Sequence, residues 1–290
     1  MPDHGSQTIR RRRLAAELRR LRERAGLTGD EAAERLGWSG SKISRIETHR
    51  IGVKPADLRR LLDLYEVSAP HRGELEALAR ESAGTETLKV QATSLTAELS
   101  SYISDEAEAT SVWNWEPQIV PGLLQTENYA RAIIDGWKSI FPLTREEVER
   151  RVTARLARQR LLTREPPLQL SAVVDESVLH RKIGSRSVMR EQLARIVEVA
   201  GWPNVQLRVL PLGGDHPIGI GSFAYMQFAQ VHDIPLNDIV NVEHLARNYD
   251  VDQEEETLQY RIAFKELEKL ALGTGESCRL IADVARETWL

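Results

Sequence analysis

The chain has 290 residues, a formal net charge of −4 and 41% hydrophobic residues. This length and composition are typical of two folded domains and exclude a disordered chain or a polycation. The single cysteine, Cys278, excludes an internal disulfide and a cysteine-pair zinc site. Without an apolar leader or a run of 18 apolar residues, we expect no membrane segment and a cytoplasmic protein.

Charge is distributed unevenly along the chain. Residues 1–60 contain 15 Lys and Arg against 8 Asp and Glu, a net of +7. The remaining residues contain 24 against 35, a net of −11. A basic N-terminal part followed by an acidic remainder indicates that only the N-terminal part contacts a polyanion.

The N-terminal part is predicted to be a short tail followed by a compact helical domain. Residues 1–9 predict a flexible tail, and apolar residues recur at helical spacing over 10–24. Pro55 suits the first turn of a fourth helix, and a fifth follows Pro70. Five short helices without a strand pattern predict a helical domain over residues 10–83.

The stretch LTGDEAAERLGWSGSKISRIE, residues 27–47, contains two helices joined at a glycine. Thr28 and Glu31 form a capping-box pattern at the start of the first. Gly37 fits the left-handed position after its end. Ser39 is then expected to cap a short third helix whose inner face carries Ile43 and Ile46.

This third helix has the residues needed to enter a DNA major groove end-on. Its first turn is small and polar, which permits close approach of the backbone and binding of a phosphate by free N–H groups. Lys42 and Arg45 are expected to project outward, and Arg45 to grip a guanine edge. Arg50 and Lys54 are better placed for phosphates. The predicted DNA-binding residues are Thr28, Ser39, Gly40, Ser41, Lys42, Ser44, Arg45, Arg50 and Lys54. The alternative is a merely solvated charged face.

The segment LRRLRERAGLTGDEAAERLGWSGSKISRIE resembles the helix-turn-helix of lambda-repressor-like, xenobiotic-response-element regulators. The resemblance implies a supporting helix over 28–36 and a recognition helix over 40–47. It places Gly40, Ser41 and Arg45 at base-facing positions, with Lys42 and Ser44 nearby. It also implies an architectural ion pair between Arg22 and Glu47.

The sequence departs from that family pattern at three positions. Gly29 stands where a glutamine often touches a phosphate, so that contact is expected to be absent or made by the backbone. Gly40 removes a common base-reading side chain. Trp38 replaces a smaller apolar turn residue and is expected to be partly buried.

After a linker over 84–95, residues 96–290 predict an α+β effector and dimerisation domain. The whole chain is thus of mixed class, a five-helix helix-turn-helix domain followed by an α+β domain. Helical patterns cover 96–109, 126–138, 144–162, 188–200, 254–271 and 276–288. Strand-like runs cover 168–175, 205–212, 222–229 and 238–245.

The phrase WNWEPQIVPGLLQTENYARAI, residues 113–133, predicts a packed turn and helix by its own pattern. It also resembles a signature of actinobacterial regulators that carry domain of unknown function 5753. VVDESVLHRKIGS, MREQLARIVEVA, NVQLRVLPL and GESCRLI match the same family. The resemblance covers roughly 96–290 and implies a transcriptional regulator with an effector or oligomerisation domain. It further implies control by a small protein encoded by a neighbouring gene.

Catalysis in the second domain has little support. The glycines of the 212–222 loop lead into a strand pattern rather than a helix, so we expect a long hairpin loop, with a ligand-covering loop as the alternative. Asp175, Glu176 and His180, together with the pairs at 215–216 and 232–233, are expected to be surface or packing residues. We expect neither an enzyme, nor a metal site, nor a cofactor.

The sequence favours a sequence-specific transcriptional regulator that binds an inverted-repeat operator as a homodimer. Two copies about 34–36 Å apart would read two half-sites. The alternative is an antitoxin-like module that sequesters a small partner protein and binds DNA for autoregulation. An enzyme with an attached DNA-binding domain is the third interpretation.

Overall fold

The structure is a computed structural model, and it describes residues 9–84, 97–216, 219–231, 234, 236–244 and 248–289. Within these ranges the chain forms two compact units. The described residues of 1–108 and 228–237 belong to the first, and those of 109–227 and 238–290 to the second. The predicted tail, apart from Ile9, and the predicted linker, apart from Gly84, lie outside the described residues.

The first unit is helical, as predicted. Its helices are α1 (Ile9–Arg24), α2 (Gly29–Leu36), α3 (Gly40–Glu47), α4 (Pro55–Leu64), α5 (Ala69–Gly84) and α6 (Ala97–Glu108). Leucines from α1, α2, α4 and α5 surround Ile43 and Ile46 of α3 in one core. Because both isoleucines are almost fully buried, the opposite side of α3 faces solvent.

The first unit takes in two segments that the sequence pattern had placed in the second domain. One is α6, and the other is 228–237, which the chain reaches after the fourth strand of the second unit. Ile234 is fully buried in the helical core, and Val231 packs against it. Both segments join the helical unit through contacts distant in sequence.

The second unit is built on a six-stranded mixed sheet. The strands are β1 (Ser111–Glu116), β2 (Gln169–Asp175), β3 (Val205–Leu210), β4 (Phe223–Gln227), β5 (Ile239–Glu243) and β6 (Asn248–Val251). Their order is β3-β2-β1-β4-β5-β6. β1, β2 and β3 pair in parallel, whereas β4, β5 and β6 continue antiparallel from β1.

Helices α7 (Glu127–Gly136), α8 (Arg145–Arg158), α9 (Ser177–His180), α10 (Arg186–Val199), α11 (Glu254–Leu270) and α12 (Thr274–Thr288) complete this unit. α11 covers one sheet face, where Phe264 and Leu267 pack in the aromatic core. Trp113 stacks there between Tyr225 and Phe264, at centroid distances of 5.1 and 5.4 Å. These contacts fix α11 to the sheet.

Three expectations about this unit are wrong or incomplete. The central strand β1 lies where the sequence predicted only a turn and helix, and β6 and α9 were not predicted. The 212–222 segment is not a hairpin loop, because β3 is a sheet edge and β4 pairs with β1 and β5. The segment connects non-neighbouring strands instead.

Candidate nucleic-acid interface

Local capping fixes the two helices that form the candidate interface. The Thr28 hydroxyl accepts from the Glu31 N–H at 3.2 Å, and the Glu31 carboxylate accepts from the Thr28 N–H at 2.7 Å. Gly37 ends α2 with φ of 65°, a left-handed conformation that glycine adopts without steric cost. These elements set the turn from α2 into α3.

An ion pair holds the far end of α3 against α1. Arg22 donates to both carboxylate oxygens of Glu47, at 2.7 and 2.9 Å, and to the Leu27 carbonyl at 2.7 Å. The bond to Glu47 raises the pKa of Arg22, although burial opposes it. The structure thus brings together the two residues that the family resemblance pairs.

The outer face of α3 is small, polar and cationic. Ser41, Ser44 and Arg45 are exposed. Arg45 uses one N–H to reach the Ser41 carbonyl at 3.1 Å, which leaves the rest of its planar fork for other acceptors. Ser39 occupies the N-cap position, but its hydroxyl makes no capping bond and lies 3.0 Å from that of Ser41.

Lys42 does not project outward as expected. Its ammonium group lies 2.9 Å from the Asp57 carboxylate and 3.6 Å from the centroid of the Trp38 ring. Trp38 is partly buried against the helical core. An ion pair and a cation–π contact therefore hold Lys42 against α4 and the turn, and α3 is left with Arg45 as its outward cation.

Two glycines near the start of α3 differ in the room they leave for a side chain. A Cβ on Gly40 would collide with the Asp30 carboxylate, which occupies that space. A Cβ on Gly29 would meet only Ile43, at 4.0 Å, so position 29 has room but offers a backbone contact alone. Sequence reasoning missed Asp30, an acidic group beside the helix start.

A cleft of about 330 Å³ adjoins this face. Thr28, Gly40 and Ser44 line it together with Arg19 and Thr48. Neither Arg19 nor Thr48 was predicted, although Arg19 lies one helical turn before Arg22. Arg50 and Lys54 are exposed beyond α3, and Lys54 is the N-cap residue of α4.

Comparison with protein families accounts for both parts of the chain. A family model described as a domain of unknown function, DUF5753, matches residues 99–283. The chain belongs to the DUF5753 family. A helix-turn-helix domain model matches residues 13–75 of this DUF5753 protein and supports a DNA-binding regulator. Comparisons with curated proteins and with solved structures each give no match.

The acidic and histidine residues singled out in the DUF5753 region lie in two loose pairs. His216 is 3.9 Å from Asp175, and His180 is 3.6 Å from Glu176. Glu176 also accepts from the Leu212 N–H at 2.8 Å. Within the described ranges, no three His, Cys, Asp or Glu side chains are arranged to hold a metal ion. Residues 232–233 lie outside the described residues.

Two other titratable groups of the DUF5753 region, the partly buried Cys278 and the buried Glu116, have raised pKa values. Burial raises the pKa of the Cys278 thiol, which works against a reactive thiolate. Burial, together with the charge of Glu243, raises the pKa of Glu116 to about 8. No helix in the described part of this chain combines the length and apolarity needed to cross a bilayer.

Proposed function

We propose that this DUF5753 protein is a transcriptional regulator that reads double-stranded DNA through α3. The observation that carries the proposal is the two-sided character of α3. Ile43 and Ile46 fix its inner side in the core, and the bidentate Arg22–Glu47 pair fixes its end. Its outer side presents small polar residues and an exposed arginine.

Each outer residue suits one kind of DNA contact. Arg45 has the planar fork that pairs with guanine O6 and N7, and such a contact discriminates between bases by about 1–3 kcal/mol. The small residues at the start of α3 let its unpaired N–H groups approach a phosphate. Arg50 and Lys54 supply phosphate contacts beside it. Lys42 instead stabilises the fold through its contacts with Asp57 and Trp38.

We further propose that two copies bind an inverted-repeat operator, because one short helix contacts few bases. Half-sites one helical turn apart, about 34–36 Å, would match the two-fold symmetry of a homodimer. In this proposal the DUF5753 region holds the dimer and receives the signal. The signal changes operator affinity by stabilising one half-site spacing over another.

Substitution of Arg45 tests the DNA-reading role. Fragments that the wild type binds, mapped across the genome, provide the operator. Arg45→Ala should reduce operator affinity to that for unrelated DNA, because the guanine contact is lost. Fluorescence anisotropy measures both affinities, and circular dichroism checks the fold. Arg80→Ala, which removes an exposed arginine on α5, is the control. An operator preference that survives Arg45→Ala would contradict the proposal.

An exposed apolar loop favours a second candidate function, sequestration of a small partner protein. Ile140 is 59% exposed and Phe141 is 39% exposed. Trp137 stacks on Phe141 at a centroid distance of 5.8 Å. Contiguous exposed apolar groups mark interaction sites. A stoichiometric small protein that co-purifies from the native host with the wild type but not with Ile140→Asp would support this function.

A further inference from the structure

The solvent side of α11 carries two large apolar side chains. Thr257, Phe264 and Leu267 are buried on the sheet side of this helix. On the opposite side Leu258 is 41% exposed and Ile262 is 56% exposed. They are four residues apart, so they are neighbours on one helix face. The helix therefore has a core-facing stripe and a separate apolar stripe that faces solvent.

The solvent stripe has the spacing of a helix-pairing seam. Glu255, Leu258, Ile262, Lys265 and Lys269 follow one another at intervals of three, four, three and four residues, and all five are exposed. Intervals that alternate between three and four keep side chains on the line along which two helices meet in a coiled coil. We call these five residues the α11 stripe.

Charge along the α11 stripe selects the orientation of a partner helix. When two copies pair antiparallel with Leu258 opposite Ile262 of the second copy, the same register places Glu255 opposite Lys265 of that copy. Two-fold symmetry repeats both contacts. A parallel pair would instead place Glu255 beside Glu255 and Lys265 beside Lys265, which is repulsive.

Lys265 can make this contact without losing those it has. Its ammonium group lies 2.8 Å from the Glu268 carboxylate and 4.3 Å from the centroid of the Trp113 ring. A lysine ammonium has three donors, so a second carboxylate can be accepted. Lys265 is thus held at the edge of the α11 stripe, where Glu255 of a second copy would reach it.

We propose that the α11 stripe is the homodimer interface, on which α11 of a second copy of this chain packs antiparallel. The proposal rests on the homodimer of the proposed function and assigns its surface. The apolar pair supplies affinity, and the Glu255–Lys265 pairs set the register. The interface lies in the DUF5753 region and uses no residue of α3.

Analytical ultracentrifugation of the full chain tests the interface. Ile262→Asp should weaken dimerisation at least about 100-fold, because it places a charge at an apolar contact repeated by symmetry. Ile140→Asp is the matched control at another exposed isoleucine and should leave the dimer unchanged. Circular dichroism shows whether each variant folds.

Charge reversal tests the register separately. Glu255→Lys should weaken the dimer about tenfold, and adding Lys265→Glu should restore most of that loss, because the pairs form again with opposite sign. A dimeric wild type whose dissociation is unchanged by Ile262→Asp, or that only Ile140→Asp disrupts, would overturn the α11 interface alone. A monomeric wild type that occupies its operator as single copies would overturn the homodimer as well.

Discussion

At the scale of single residues, the start of α3 carries a negative group that DNA would meet. The Asp30 carboxylate fills the space beside Gly40 where a side chain would stand. It is exposed, and in the free protein the positive end of the α3 dipole attracts its negative charge. A phosphate arriving at that end must displace this carboxylate or accept its repulsion, so we expect Asp30 to limit the affinity for DNA.

Asp30→Asn should therefore raise affinity for DNA about two- to fivefold at low salt, for operator and unrelated sequence alike, because the contact is with phosphate and not with bases. Anisotropy titrations at two salt concentrations measure the effect, which should shrink at high salt. Asp63→Asn removes an equal charge from α4, where Asp63 pairs with Arg72, and should change affinity less. Equal effects of the two variants would count against the role of Asp30.

At the scale of elements, a histidine between two carboxylates joins α1 to α5. His71 Nε2 lies 2.8 Å from a Glu17 oxygen, and Nδ1 lies 2.9 Å from a Glu74 oxygen. Both ring nitrogens face carboxylate oxygens, an arrangement that favours the charged imidazolium, in which both nitrogens donate. Burial opposes the charge, but the bonds to Glu74 and Glu17 outweigh it and raise the pKa of His71.

The raised pKa of His71 predicts a pH-dependent contribution to stability. Because the folded pKa exceeds the unfolded value of about 6.5, the contribution is complete below that value and is lost as pH rises through the folded pKa. His71→Gln should cost about 1 kcal/mol near pH 6 and progressively less above neutrality. Urea unfolding of both proteins between pH 6 and 9 measures the difference. A cost that grows with pH would contradict the prediction.

Elements set by neighbouring residues could be predicted from the sequence. The capping box of Thr28 with Glu31 and the left-handed Gly37 need only residues within one turn, and both were found where expected. β1 could not be identified in this way, because SVWNWE has no clean alternation and is a strand through its pairing with β2 and β4. The central strand was thus hidden by its dependence on distant partners.

The candidate site shows the same division between local and distant causes. The outward position of Arg45 follows from helical spacing relative to Ile43 and Ile46. The position of Lys42 does not, because Asp57 on α4 draws it inward. The exposed stripe on α11 was also hidden in the sequence, since a periodic helix does not reveal which of two apolar faces meets the sheet.

At the scale of the whole molecule, the helical unit is completed by a segment that lies far along the chain. After β4 the chain contributes 228–237 to the first unit and then returns to the sheet as β5. Arg13, only 2% exposed, donates to the Ala229 carbonyl at 2.6 Å and to that of Ile234. One guanidinium on α1 thus satisfies two carbonyls of the distant segment.

Arg13→Met should therefore destabilise the protein by about 2–4 kcal/mol, since it keeps the apolar stem but leaves both carbonyls without their charged donor. Thermal unfolding of the full chain measures the loss, and hydrogen exchange should increase most within 228–237 if the segment is released first. Arg24→Met, at an exposed position on the same helix, is the control and should cost under about 0.5 kcal/mol. If both variants melt alike and exchange in 228–237 is unchanged, Arg13 does not hold the segment. In that case α1 to α6 would form the DNA-binding unit without a contribution from 228–237.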